Sequence, residues 1–213
     1  TTFFDGYVGK KFAPTISFVA EPTTDSEILD GYGGATTTKG AMLNILNTTV
    51  KSYYDTFVGT SLTQKALLNN NSVVFTDENY ESVFTSTFDL TTDGDLTLYT
   101  NKTNQNVSFL FETTGFVGII KGAITLQPDF ETIVGISVYE QSERWGAKIQ
   151  TDETFFDVYI GKKFAPSISF VATPTTDTEV LDGYSGATTT KAAMLNILNQ
   201  TVAAYKLSFK EVA

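Results

Sequence analysis

The sequence contains no cysteine and no histidine among its 213 residues. Without cysteine there can be no disulfide, thiolate nucleophile, iron–sulfur ligation or c-type haem attachment. Without histidine the chain lacks the side chain that ordinarily titrates near neutral pH, which is also the commonest metal ligand. A redox function would therefore require an organic cofactor, and we expect neither a metal site nor a catalytic acid–base group.

Positive charge and long apolar runs are also scarce. The chain has 14 basic and 24 acidic residues, a net charge of −10, and its lysines are scattered. Nucleic acids and anionic membrane surfaces are therefore poor partners. No run approaches the roughly 20 consecutive apolar residues of a membrane span. The chain starts in mid-pattern at Thr1 without a signal segment, so we expect any signal peptide or lipid anchor to belong to a longer parent.

One long segment occurs twice in a chain whose composition, 41% hydrophobic and 18% charged, is typical of folded proteins. Residues 2–53 align without a gap to residues 154–205, an offset of 152 residues. Because this offset is as long as a domain, we predict a tandem array in which residues 1–53 are the C-terminal part of a first repeat and residues 54–213 a complete second repeat. A single domain with duplicated halves is less favoured, since residues 54–150 hold no further copy.

The stretch between the copies predicts an antiparallel β meander. Runs rich in β-branched and aromatic residues alternate there with turn residues such as Asp93-Gly94. The predicted strands are Leu96–Tyr99, Val107–Glu112, Gly115–Leu126 and Ile133–Tyr139. A short helix or linker is predicted over Leu62–Asn71. The predicted fold class is therefore α+β, with helices flanking the meander.

The second copy predicts a strand at 168–171, a turn at 181–184 and then a helix. From Lys191 onward the apolar residues recur at helical spacing and form one face: Met194, Leu195, Leu198, Val202 and Tyr205. Small residues and threonines precede this helix at 185–190, and they do so again at 33–38 in the first copy. Such a helix N-terminus suits a phosphate group, and a hydroxyl there can also carry a phosphate ester. Plain helix capping explains the same residues.

Residues 181–190 resemble the signature of the FMN-binding domain family, Ser/Thr-Gly-Ala-Ser/Thr-any-Ser/Thr with an Asp shortly before it. The family includes flavin-bearing subunits of the bacterial Rnf and sodium-pumping NADH:quinone reductase complexes, and flavoproteins of extracellular electron transfer. Residues 115–120 resemble its Gly-aromatic-x-Gly strand start, and residues 133–136 its next strand. Residues 143–149 correspond to a Glu-Thr-Pro-Gly-Leu-Gly segment near the flavin, although Arg144 and Trp145 replace the Thr-Pro pair.

The resemblance implies covalent FMN, joined by a flavin transferase through its phosphate to Thr190 and, in the partial repeat, to Thr38. The implied contacts to the cofactor are Ser185, Gly186, Ala187, Thr188, Gly34, Ala35, Thr36, Asp182, Glu143 and Trp145. Asp182 and its counterpart Asp30 would mark the site for the transferase, or simply form a turn. Trp145 would stack on the flavin or pack in the core. Lys162 and Lys163 would neutralise the phosphate or remain solvated.

Three functions follow as hypotheses. The favoured one is an electron carrier at the cell surface or outside the cell. It would exchange electrons with neighbouring repeats, redox partner proteins or extracellular acceptors. The second is an electron-delivery module of a flavin-dependent reductase, for which the sequence supplies no substrate site. The third is a structural surface repeat without a cofactor.

Overall fold

The computed structural model describes residues 6–12, 15–30, 36–115, 118–143, 148–151, 154–182 and 188–210, and every structural statement below concerns these residues. The chain divides into two compact units, Thr1–Thr60 and Ser61–Ala213. The predicted repeat boundary, between residues 53 and 54, lies where an α-helix passes into a π-helical stretch, Tyr54–Gly59. It stays a prediction.

The first unit contains a short parallel strand pair and one long helix. Its elements are β1 (Ser17–Val19), β2 (Glu27–Leu29) and α1 (Thr36–Tyr53). The two ends of the Asn47 amide bond the backbone N–H and C=O of Ile16, at 2.9 Å each. These two bonds connect α1 to the segment just before β1.

The second unit is built around an antiparallel sheet of five strands in sequence order. In chain order its elements are α2 (Thr60–Asn70), α3 (Tyr80–Thr87), β3 (Phe88–Asp93), β4 (Leu96–Asn101), β5 (Val107–Thr114), β6 (Ile119–Leu126), β7 (Ile133–Gln141), α4 (Lys148–Thr151), β8 (Ser169–Val171), β9 (Glu179–Leu181) and α5 (Thr188–Tyr205). Each strand from β3 to β7 pairs with its sequence neighbour. The meander and the α+β class are confirmed. A small parallel pair, β8 and β9, precedes α5.

The predicted strand over Gly115–Leu126 is too long at its start. β6 begins at Ile119, after a reversal in which the Gly115 N–H donates to the Gly118 carbonyl at 2.8 Å. The apolar run continues across this reversal, although Ile119, the first residue of β6, is 45% exposed. Hydrophobicity alone therefore does not locate the turn.

Helices cover both faces of the sheet. On one face, Leu67 and Leu68 of α2 and Phe84 of α3 pack with Ala123 of β6. On the other face, α5 packs with alternate residues of the same strands, such as Phe109 and Ile124. The period of two in the strands thus separates two hydrophobic clusters.

The apolar face predicted for α5 is confirmed. Met194, Leu198 and Val202 are at most 1% exposed. Tyr205 stacks on Phe109 with ring centroids 4.1 Å apart, and its hydroxyl donates to the Thr97 carbonyl at 3.1 Å. The predicted Leu195 is only partly buried.

The same local structure recurs at the offset of 152 residues, but its burial does not. α1 and α5 have equivalent bounds, as do the two short strand pairs. Tyr205 is 5% exposed, whereas its counterpart Tyr53 is 64% exposed, and Phe57 just beyond α1 is also exposed. This helix face is buried where a large sheet covers it. The second unit provides such a sheet for α5, whereas the described part of the first unit provides none for α1. Among the described helices, none is long and apolar enough to cross a membrane.

Candidate functional site

Thr190 lies in the first turn of α5 and its hydroxyl points into the protein. The side chain is 2% exposed. Its Oγ1 donates a hydrogen bond to Oε2 of Glu143 at 2.8 Å. Two residues that the sequence singled out separately, 47 positions apart, are thus in direct contact.

Glu143 follows the end of β7 and is itself 4% exposed. Its Oε1 accepts the backbone N–H of Gly118 at 2.7 Å, and its own N–H donates to Oε1 of Gln141 at 2.6 Å. A buried carboxylate needs such donors, because removing it from water is costly. Both carboxylate oxygens of Glu143 have one.

Two glycines in the β5–β6 reversal make room for Glu143 and for its neighbour Ser142. A Cβ on Gly115 would lie 2.5 Å from Oε1 of Glu143, and one on Gly118 would overlap Oγ of Ser142. Both contacts would be closer than normal packing allows. The two glycines of the Gly-aromatic-x-Gly pattern therefore help to position Glu143, which in turn bonds Thr190.

Asp182 and Lys191 form an ion pair beside the start of α5. Asp182 follows β9, where its N–H donates to the Val171 carbonyl at 2.9 Å. The ammonium of Lys191 bonds Oδ1 of Asp182 and lies 5.8 Å from the centre of the Phe170 ring. The first unit repeats the arrangement with Lys39, Asp30 and Phe18. Lys191 is not among the site residues predicted from sequence. A pattern that could have identified it is the lysine nine positions after an aspartate, which occurs in both copies.

Tyr159 lies against the same phenylalanine. Its ring packs edge-on against Phe170, with centroids 6.1 Å apart. The side chain is 1% exposed, and its hydroxyl has no hydrogen-bond partner among the described residues. Burial, and to a lesser degree the negative charge of Asp182, raise the pKa of the Tyr159 phenol well above its ordinary value. It remains a neutral hydrogen-bond donor across the physiological range.

The remaining predicted residues fall into three groups. Thr36 and Thr188 are the first residues of α1 and α5, and Thr38 is exposed. The predicted contacts outside the described residues are Gly34, Ala35, Trp145, Ser185, Gly186 and Ala187. Lys162 and Lys163 contact the segment at residues 176–177. Lys162 Nζ donates to the Thr176 carbonyl at 3.1 Å, and Lys163 Nζ pairs with Asp177 at 3.5 Å. Within the described residues no cluster of acidic side chains could hold a metal ion.

Replacing Glu143 tests the hydrogen bonds at this site. Glu143→Ala leaves the Thr190 hydroxyl and the Gly118 N–H without their acceptor, and we expect a loss of about 3 kcal/mol in the free energy of unfolding. Glu143→Gln keeps both contacts, since the amide oxygen accepts from Gly118 and the amide NH₂ donates to Thr190; we expect a loss below about 1 kcal/mol. Urea denaturation followed by circular dichroism measures both. An alanine variant as stable as wild type would show that these bonds contribute no stability.

The chain is similar to known proteins in part of its sequence and in its fold. Residues 115–203 match the family model described as FMN-binding domain. The crystal structure of Shewanella oneidensis NqrC aligns with a TM-score of 0.59 and 17% sequence identity, over 70% of this chain and 95% of that one. A subunit of the Na(+)-translocating NADH-quinone reductase from Parabacteroides distasonis aligns with a TM-score of 0.56 and 18% identity, over 68% and 92%. No curated protein sequence is significantly similar to this chain.

Proposed function

We propose that this chain is an electron carrier, because residues 115–203 match the family model described as FMN-binding domain. It holds FMN through a phosphoester to Thr190, and Thr38 is a second attachment residue. One of the similar structures is a subunit of an NADH-quinone reductase, which supports an electron-transfer role. The proposal includes a flavin transferase for maturation and a relay with neighbouring repeats at the cell surface, supported by the sequence resemblance alone.

The hydrogen bond between Thr190 and Glu143 is the observation that carries this proposal. It brings together the two motifs of the family that lie far apart in the sequence, within the matched segment. Plain capping of α5 would not require the Thr190 hydroxyl to bond a buried carboxylate, because a capping hydroxyl accepts a backbone N–H of its own helix. This threonine instead donates to a distant residue.

The residues present suit a flavin phosphate. The first-turn N–H groups of α5 and the positive end of its dipole favour an anion next to Thr190. Thr190 supplies the oxygen for the ester, and Oε2 of Glu143 holds the hydroxyl hydrogen in the unmodified chain. FMN, when attached, supplies the one- and two-electron chemistry that no side chain of this protein provides.

Intact-mass measurement tests the proposal directly. We expect the wild-type chain, produced together with a flavin transferase, to gain FMN less one water at each occupied threonine. The purified protein should be yellow, bleach on reduction with dithionite and recover its colour in air. A chain of unmodified mass under these conditions would contradict the proposal, and it would favour the structural repeat instead.

A further inference from the structure

Lys191 places a positive charge at the N-terminal end of α5, where a positive charge is unfavourable. It is the fourth residue of the helix, directly after Thr190. The N-terminal end of a helix carries a partial positive charge, which repels a lysine there. The Lys191 side chain is also only 7% exposed, so its ammonium has lost most of its hydration. Both effects destabilise the folded chain, so stability alone does not explain a lysine at this position.

Asp182 holds this buried ammonium in place. Its carboxylate bonds the Lys191 ammonium, and its own side chain is 46% exposed. The pair recurs in the first unit, where Lys39 bonds Asp30 and its side chain is 6% exposed. The arrangement thus belongs to the repeat itself and not to the packing of one unit. It keeps a cation positioned beside the threonine of each motif.

Tyr159 supplies a second sign that a ligand is expected here. A buried hydroxyl without a partner costs free energy, and the Tyr159 hydroxyl has no partner among the described residues. Tyr159 packs against the Phe170 ring, which the Lys191 ammonium also approaches, so the three side chains form one cluster. The short helical turn that carries Tyr159 packs against β9, the strand that leads to Asp182. A cation and a neutral donor in one cluster match an anionic ligand rich in acceptor oxygens.

We propose that Lys191, positioned by Asp182, binds the phosphate of the flavin at Thr190, with the Tyr159 hydroxyl as a second donor. The inference rests on the proposed function and assigns the phosphate contacts within it. Lys162 and Lys163, the lysines that the sequence suggested for this role, are engaged with the 176–177 turn instead. Lys162→Met is therefore the matched control for the loss of one positive charge.

Free FMN and riboflavin, which differ only by the phosphate, provide the test on the unmodified chain. We expect the wild type to bind FMN about tenfold more tightly than riboflavin, measured by quenching of flavin fluorescence. Lys191→Met should lose this preference while riboflavin affinity stays unchanged. Lys191→Arg should restore most of it, and Lys162→Met should keep it. An unchanged preference in Lys191→Met would overturn the inference.

Tyr159→Phe separates a ligand role from a structural one. It removes a buried hydroxyl that has no partner among the described residues, so we expect the midpoint of thermal unfolding to rise. We also expect the preference for FMN over riboflavin to fall about fivefold. A purely structural tyrosine would leave the preference as it is, which would remove Tyr159 from the proposed site. This variant also remains informative should Lys191→Met fold poorly.

The mass measurement distinguishes failure of this inference from failure of the proposed function. With the flavin transferase present, Lys191→Met should carry several-fold less attached FMN than the wild type. Full attachment in both proteins would overturn the assignment of Lys191 and leave the electron carrier intact. A wild type without any attached FMN would refute the carrier itself.

Discussion

Under the proposed function, Thr190→Ala produced with a flavin transferase is expected to lack one of the FMN groups of the wild type. The methyl group that replaces the hydroxyl cannot form an ester, so the loss at this position should be complete. Intact-mass measurement resolves the effect, and peptide mapping assigns the remaining FMN to the peptide that contains Thr38. An unchanged mass gain in Thr190→Ala would show that the flavin is attached elsewhere.

Two variants control this experiment. Thr190→Ser keeps the hydroxyl and agrees with the Ser/Thr pattern of the motif, so we expect it to retain the FMN group. Thr38→Ala should lose the other one. The two threonines differ in their surroundings, since Thr190 is buried on Glu143 while Thr38 is exposed. We therefore expect lower occupancy at Thr38 in the wild type. A Thr190→Ser chain without flavin would mean that the loss in Thr190→Ala comes from altered packing.

Leu198→Ala is expected to remove about 3 kcal/mol from the free energy of unfolding. Leu198 is 0% exposed and packs in the cluster between α5 and the sheet, where truncation leaves a cavity. Its counterpart in α1, Leu46, has the same helical neighbours in sequence but is only half-buried. Leu46→Ala should lose less than about 1 kcal/mol.

Hydrogen exchange read out by mass spectrometry compares the two substitutions within one protein. Faster exchange should follow Leu198→Ala throughout α5 and the strands it covers, whereas Leu46→Ala should accelerate exchange in α1 only slightly. Equal effects of the two changes would mean that the exposed face of α1 is covered in solution.

Much of the central fold could be predicted from sequence because strand alternation and helical spacing are strong signals. β3 and α3 were not predicted, and their residues show why. β3 has a single buried residue, Phe88, so its alternation is weak. α3 contains Tyr80, Val83 and Phe84, residue types that favour strands. In the helix, Phe84 packs against Phe88 and Tyr99, contacts that a local sequence pattern does not contain.

The site could be predicted only in part, for a related reason. A short motif reveals residues that are adjacent in sequence, and it identified Thr190 through the family resemblance. The contact with Glu143 depends on how β7 and α5 meet in space, which no local pattern contains. Lys191 escaped prediction because a lysine near the start of a helix is ordinarily solvated; its burial against Phe170 and Asp182 is visible only in three dimensions.

Under the proposed function, the inward hydrogen bond of Thr190 also bears on the order of events during maturation. A hydroxyl that is 2% exposed cannot be reached by another enzyme, so the start of α5 has to separate transiently from Glu143 before modification. An ester oxygen carries no hydrogen, and it cannot donate to Glu143 afterwards. Under the proposed function, the closed contact therefore belongs to the newly made protein alone, and attachment of the cofactor prevents a return to it.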